Sequence, residues 1–143
     1  MEEGPVNDPP DDPNILDGEK VLRRVVPDRF SGRTGRPEDG TFKKDGLASG
    51  TSVTLWRSNE DLDITRDGHP GFGVVGLYVG ELRQEGLTIA FVDEPGNPNH
   101  CEIFGPRTGS LRKKLATTAR WVVFPIDYPG PFRETVLWTK EAP

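Results

Sequence analysis

Short β-favouring runs broken by turn residues set the pattern of this chain. Val21, Leu22, Val25 and Val26 form a first run that Pro27 stops, and 51–56 (TSVTLW) alternates β-branched and polar positions. Both read as strands. The stretch 72–79 (FGVVGLYV) is nearly continuous apolar sequence and predicts a central strand, with Gly73 and Gly76 admitting close backbone approach. Further strands are expected at 87–92, 101–104 and 121–124, and a last edge strand at 135–138. One helix stands out: at 110–120, Leu111, Leu115 and Ala119 recur at i, i+4 and i+8 beside Ala116, while Arg112, Lys113 and Lys114 face away. Thr108 or Ser110 can cap its first turn.

Between these elements the chain is polar. Residues 59–68 read as too charged to form a buried element, 81–85 as at most one helical turn, and 69–71 and 93–99 as turns. The segment 28–50 reads as a long loop with Phe42 and Leu47 as its possible anchors, and a loop of that length is a place to look for function. The expected class is therefore α+β: one small domain at 19–143, a mixed, mostly antiparallel sheet of five to seven strands, and one main helix (110–120) packed on it.

Residues 1–18 change the picture at the N-terminus. Four prolines stand there among six acidic residues, with only Met1, Val6, Ile15 and Leu16 to bury, so a disordered acidic arm is expected. Hydrophobic residues are 33% of the whole chain and the net charge is −5, which disfavours non-specific binding to nucleic acid. Cys101 is the single cysteine, so a reducing, cytoplasmic setting is expected. No apolar run is long enough to span a bilayer.

Candidate chemistry is sparse. His69 and His100 are the two histidines, each at the edge of an expected strand beside turn residues. They could converge as acid and base, with Arg24 or Arg57 holding an anion; the plainer reading is that each imidazole caps a turn. Cys101 follows His100, so in an extended segment the two point to opposite faces and cannot pair, and a lone cysteine in an apolar strand reads as core. Gly105, Arg107, Thr108 and Gly109 (GPRTG) lead into the helix N-terminus, where free amides and the helix dipole can hold a phosphate or carboxylate. Two histidines without paired carboxylates at ligand spacing imply no metal site, and no cofactor is expected. Arg33, Arg36, Lys43 and Lys44 make the 28–50 loop basic within an acidic chain, a contrast able to dock an acidic surface.

Five landmarks occur in order: LRRVVPDRF at 22–30, GRPEDGTFKKDGLASG at 35–50, HPGFGVV at 69–75, NPNHCEIFG at 97–105, and the helix leading into WVVFP. This order resembles a family of short bacterial proteins that share R-P-x4-F, H-P-G-F and N-P-x-H-x-x-[IV]-x-G; the resemblance implies no particular activity. Where members often carry serines after the R-P pair, this chain has Glu38 and Asp39. The layout is also similar to ADP-ribosyltransferase-like folds, with Arg23 or Arg24 on the first strand, Ser49 to Ser52 at the next, and Glu102 or Tyr78 downstream. Together these features point to a non-catalytic interaction or accessory module acting through a protein partner. The alternative is a small enzyme acting on a nucleotide or other phosphate-bearing substrate.

Overall fold

The computed structural model describes residues 8–45 and 50–143. Its sheet is organised by β1 (Lys20–Val25), which pairs along all six residues with β3 (Gly73–Tyr78), from Lys20↔Tyr78 to Val25↔Gly73. On its other side β1 pairs with β2 (Thr51–Leu55) only at Val21↔Leu55 and Leu22↔Thr54. β4 (Thr88–Phe91), β5 (His100–Phe104) and β6 (Arg120–Val123) complete six strands in the order β4-β5-β2-β1-β3-β6. Every neighbouring pair is antiparallel, so the expected mixed sheet is wholly antiparallel and the class is α+β in a single small domain.

The pleat sends alternate side chains to two cores. Val21, Val25, Val53, Leu55, Val75, Leu77, Cys101, Ile103 and Trp121 enter the larger one. It is closed by α2 (Val79–Gln84) through Val79 and Leu82, and by α3 (Gly109–Thr118) through Leu115 and Ala116. On the opposite face Leu22, Trp56, Val74, Val122 and Trp138 make a smaller core, with Leu62 of α1 (Asn59–Arg66) against it.

That helix corrects the reading of 59–68. Asp61 is 1% exposed, yet its carboxylate accepts hydrogen bonds from the Arg57 and Ser58 amides, the Ser58 hydroxyl and Asn99 Nδ2, at 2.7–3.3 Å. A buried charge so satisfied is tolerated; counting charges could not reveal it.

The N-terminal arm needs correction too. Residues 1–7 lie outside the described residues, but from Asp11 the chain is attached to the body. The Asp12 amide donates to the Ile89 carbonyl at 2.9 Å and the Ile89 amide to Asp11 at 3.0 Å, covering the edge of β4. Arg83 grips Asp11, Asp17 and the Asp12 carbonyl, and Ile15 is fully buried. Burying Ile15 contributes about 1.5–3 kcal/mol, and fixing a backbone costs about 1–2 kcal/mol per residue. One isoleucine could not hold this segment without the Arg83 clamp.

Two other segments differ from expectation. Residues 135–138 are not a strand; Trp138 makes one ladder-like bond, from its amide to the Trp121 carbonyl at 2.8 Å. Lys20 pins that segment instead, its ammonium 4.0 Å from the Trp138 ring and donating to the Thr139, Lys140 and Ala142 carbonyls. The described part of the 28–50 loop is an ordered hairpin, bridged at Phe30↔Pro37 and anchored by buried Phe42; Leu47 lies outside the described residues. At its tip Gly35, at φ +71°, accepts through its carbonyl from Trp121 Nε1 and the Tyr128 hydroxyl at 2.8 and 2.5 Å.

Candidate functional site

The short pairing of β1 with β2 makes the site. Beyond Leu22 and Thr54 the strands part, and Arg23 fills the gap with hydrogen bonds in place of a ladder. Its guanidinium donates to the Ser52 and Thr41 carbonyls at 2.7 and 2.9 Å and grips Asp45 at 2.7 Å. Burial raises the Asp45 carboxyl, but hydrogen bonds from Arg23 and the Ser52 amide more than offset that and leave it below its ordinary value. Arg23 is thereby committed to structure.

Arg24 projects to the opposite face. Among the described residues its guanidinium donates only to the Thr65 carbonyl, at 3.1 Å, which leaves most of its donors unengaged. Partial burial and the neighbouring Arg23 charge lower it from its ordinary value; a guanidinium so placed remains charged at neutral pH.

Arg24 opens onto two hollows. The smaller is a cleft of about 60 Å³ between β1 and β2, walled by Arg24, Thr54, Thr65, Glu94, Asn97 and His100. The larger is a groove of about 230 Å³ beside the 28–45 hairpin, lined by Arg23, Arg24, Val26, Arg29, Glu38, Thr41 and Lys43.

The turn before β5 supplies the floor of the cleft. His100 is 5% exposed and its Nδ1 lies 2.8 Å from the Val92 carbonyl. A carbonyl only accepts, so Nδ1 carries a proton and Nε2 is the ring atom turned away from that bond. That Nε2 has no hydrogen-bond partner and lies 3.6 Å from a Glu94 carboxylate oxygen. Asn97, 8% exposed, donates through Nδ2 to the Thr54 hydroxyl at 3.0 Å and leaves Oδ1 without a partner. Two residues that each carry a buried, unpartnered polar atom, His100 and Asn97, therefore line a cleft that an arginine overlooks.

Of the residues expected from sequence, Arg24 and His100 share this cleft, which Arg23 and Ser52 also line, while His69, Arg57 and the GPRTG turn lie elsewhere. His69 lies beside α1 in a separate hollow, its ring 4.9 Å from Phe72. Partial burial, then the Arg24 charge, lower its pKa from the ordinary value. Arg57 is held by Glu19 at 2.7 Å and lies over the Phe91 ring. In the GPRTG turn, Arg107 points away from the helix N-terminus, spent on the Gly105 and Ile103 carbonyls at 2.6 and 2.5 Å. Thr108 caps that helix by accepting from the Leu111 amide at 3.2 Å. Gly105 serves the turn, at φ +122°, and Gly109 opens the helix, so the expected anion site loses its arginine.

Cys101 is fully buried in the larger core, and burial pushes its thiol up to about 12, which rules it out as a nucleophile. Ser52 and Glu102 stand opposite each other on β2 and β5, Tyr78 packs edge-to-face with Trp138, and Ser49 lies outside the described residues. Among the described residues no group of three or more His, Cys, Asp or Glu side chains could hold a metal, and no helix is long and apolar enough to cross a membrane.

Comparison with known proteins finds no matching family model, no matching curated protein and no matching solved structure.

Glu94, Asn97, Thr54 and Thr65 escaped the sequence reading. The signal that could have found them is NPNH at 97–100, where two asparagines and a histidine share one turn. All three turn inward, Asn97 to Thr54, Asn99 to Asp61 and His100 to Val92, as a built site requires.

Proposed function

We propose that the domain is a non-catalytic interaction module, and that it engages its partner through the groove between β1 and the 28–45 hairpin. The observation that carries this is the charge of the groove: Arg24, Arg29 and Lys43 line it in a chain of net charge −5, with Glu38 as its acidic member. Val26, 50% exposed, adds an apolar wall. The fitting partner is an acidic segment carrying one apolar side chain, steered by the local positive potential.

A short oligoglutamate peptide, titrated at low salt into the isotope-labelled protein, tests this. Amide shifts are expected at Arg24, Val26, Arg29 and Lys43, fading as salt rises, and absent from the triple variant Arg24→Glu, Arg29→Glu, Lys43→Glu. Shifts spread evenly over the surface, or none, would overturn it.

A second reading, a small enzyme acting on a nucleotide or other phosphate-bearing substrate, draws on one observation: Arg24 and His100 line the same cleft. Against it, His69 and Arg57 are committed elsewhere, so His100 has no second proton carrier from the expected set. Phosphorus NMR of nucleotide and sugar-phosphate mixtures decides the matter. Turnover by the wild type that His100→Gln abolishes would displace the module reading.

A further inference from the structure

We propose that the cleft between β1 and β2 binds a small zwitterion, an ammonium group and a carboxylate on one short skeleton, as in a free α-amino acid. This goes beyond the groove and stands without it.

The recognition chemistry is divided by position. Toward the turn before β5 the cleft is walled by His100, whose Nε2 serves in this proposal as an acceptor while Nδ1 donates to Val92, by Asn97 with its unpartnered Oδ1, and by the Glu94 carboxylate 3.6 Å from that Nε2. His100 and Asn97 are each more than nine-tenths buried, and a buried acceptor left without a donor costs about 1–3 kcal/mol. An ammonium brings three N–H donors and a positive charge that Glu94 complements. On the β1 side stands Arg24, whose unengaged donors suit a carboxylate.

Other occupants leave one side unmatched. Phosphate oxygens would meet Arg24 but would face the acceptors of His100 and Asn97 and the Glu94 charge. A divalent cation would take the acceptors but would set two further positive charges beside Arg24 with Glu94 as the one carboxylate lining the cleft. Water could satisfy the acceptors, yet water brings no anion to Arg24.

The test is a titration of the isotope-labelled full chain with glycine, methylammonium, acetate, inorganic phosphate and magnesium chloride in separate arms. Glycine is expected to give saturable shifts at Ser52, Thr54, Asn97 and His100, with an affinity between about 1 µM and about 1 mM, the range open to so few atoms. Methylammonium and acetate should each bind at least about tenfold more weakly, since each keeps one of two charge-assisted contacts. Arg24→Gln and Glu94→Gln alter exposed side chains, so the fold should survive, and each should weaken glycine about tenfold. The proposal is overturned if glycine gives no saturable shift at about 10 mM, ten times the weakest expected Kd. It is equally overturned if acetate matches glycine, if phosphate or magnesium takes the cleft instead, or if neither variant weakens binding. Oligoglutamate binding in the groove decides none of these outcomes, so the two readings fail separately.

Discussion

Replacing Asp61 by alanine removes the acceptor that ties the start of α1 to the turn carrying Asn97, Asn99 and His100. Four donors lose it: the Arg57 and Ser58 amides, the Ser58 hydroxyl and Asn99 Nδ2. Arg57 and Ser58 are exposed residues whose amides can turn to water, so their loss resembles that of a helix cap, about 1 kcal/mol. Asn99 is half-buried and loses a hydrogen bond to a charge, about 1.5–3 kcal/mol. The expected total is about 3 kcal/mol, on the order of a 10 °C fall in melting temperature for a chain this size. Asp61→Asn, which keeps the shape but not the charge, should cost about half. Asp63→Ala, exposed on the same helix, should stay within about 0.5 kcal/mol of wild type. Urea denaturation followed by tryptophan fluorescence and by far-ultraviolet circular dichroism measures all three. If Asp61→Ala falls within about 1 kcal/mol of Asp63→Ala, the buried carboxylate does not organise the turn as described.

Three further outcomes follow from the geometry. Gly35→Ala should cost about 3 kcal/mol in thermal unfolding: its φ of +71° penalises a Cβ by about 1–2 kcal/mol, and that Cβ would meet Phe132 Cγ at 2.6 Å and the Tyr128 hydroxyl at 2.7 Å. Cys101, with its thiol raised to about 12, should react with a thiol reagent at neutral pH only at the rate of global unfolding; rapid labelling of the native protein would contradict its place in the core. His69 has a folded pKa below its ordinary 6.5, so the unfolded chain binds more protons between those values. Stability should therefore fall as pH drops through about 6.5, and urea midpoints for His69→Asn should show less of that fall.

Much of the fold was legible because β-branched and apolar runs between turn residues are local signals. The runs at 21–26, 51–56 and 72–79 became β1, β2 and β3, and the Leu111–Leu115 stripe became α3. What could not be read was satisfied by distant partners. Asp61 looks like surface charge until Asn99 and two amides converge on it, and Ile15 looks too isolated to order a segment until Arg83 is seen to clamp the acidic residues around it. The cleft is hidden for the same reason. It exists because β1 and β2 stop pairing after two residue pairs, a feature of register that neither strand carries by itself. Arg24 and His100 were expected at a site because arginine and histidine are chemically conspicuous. Asn97, Thr54 and Thr65 are ordinary turn, strand and helix residues until the strands part. The failure at Arg107 is instructive in the opposite sense: the right residue type stood before a helix, and its side chain was taken by its own turn.

The claim that a bare acceptor waits in the cleft can be read directly from a long-range proton–nitrogen spectrum of the two imidazoles. His100 should show its proton on Nδ1 and an unprotonated Nε2, and the Nε2 resonance should move as glycine is added while both His69 nitrogens hold still. A proton found on Nε2 of free His100, or an Nε2 resonance unmoved by glycine, would contradict it.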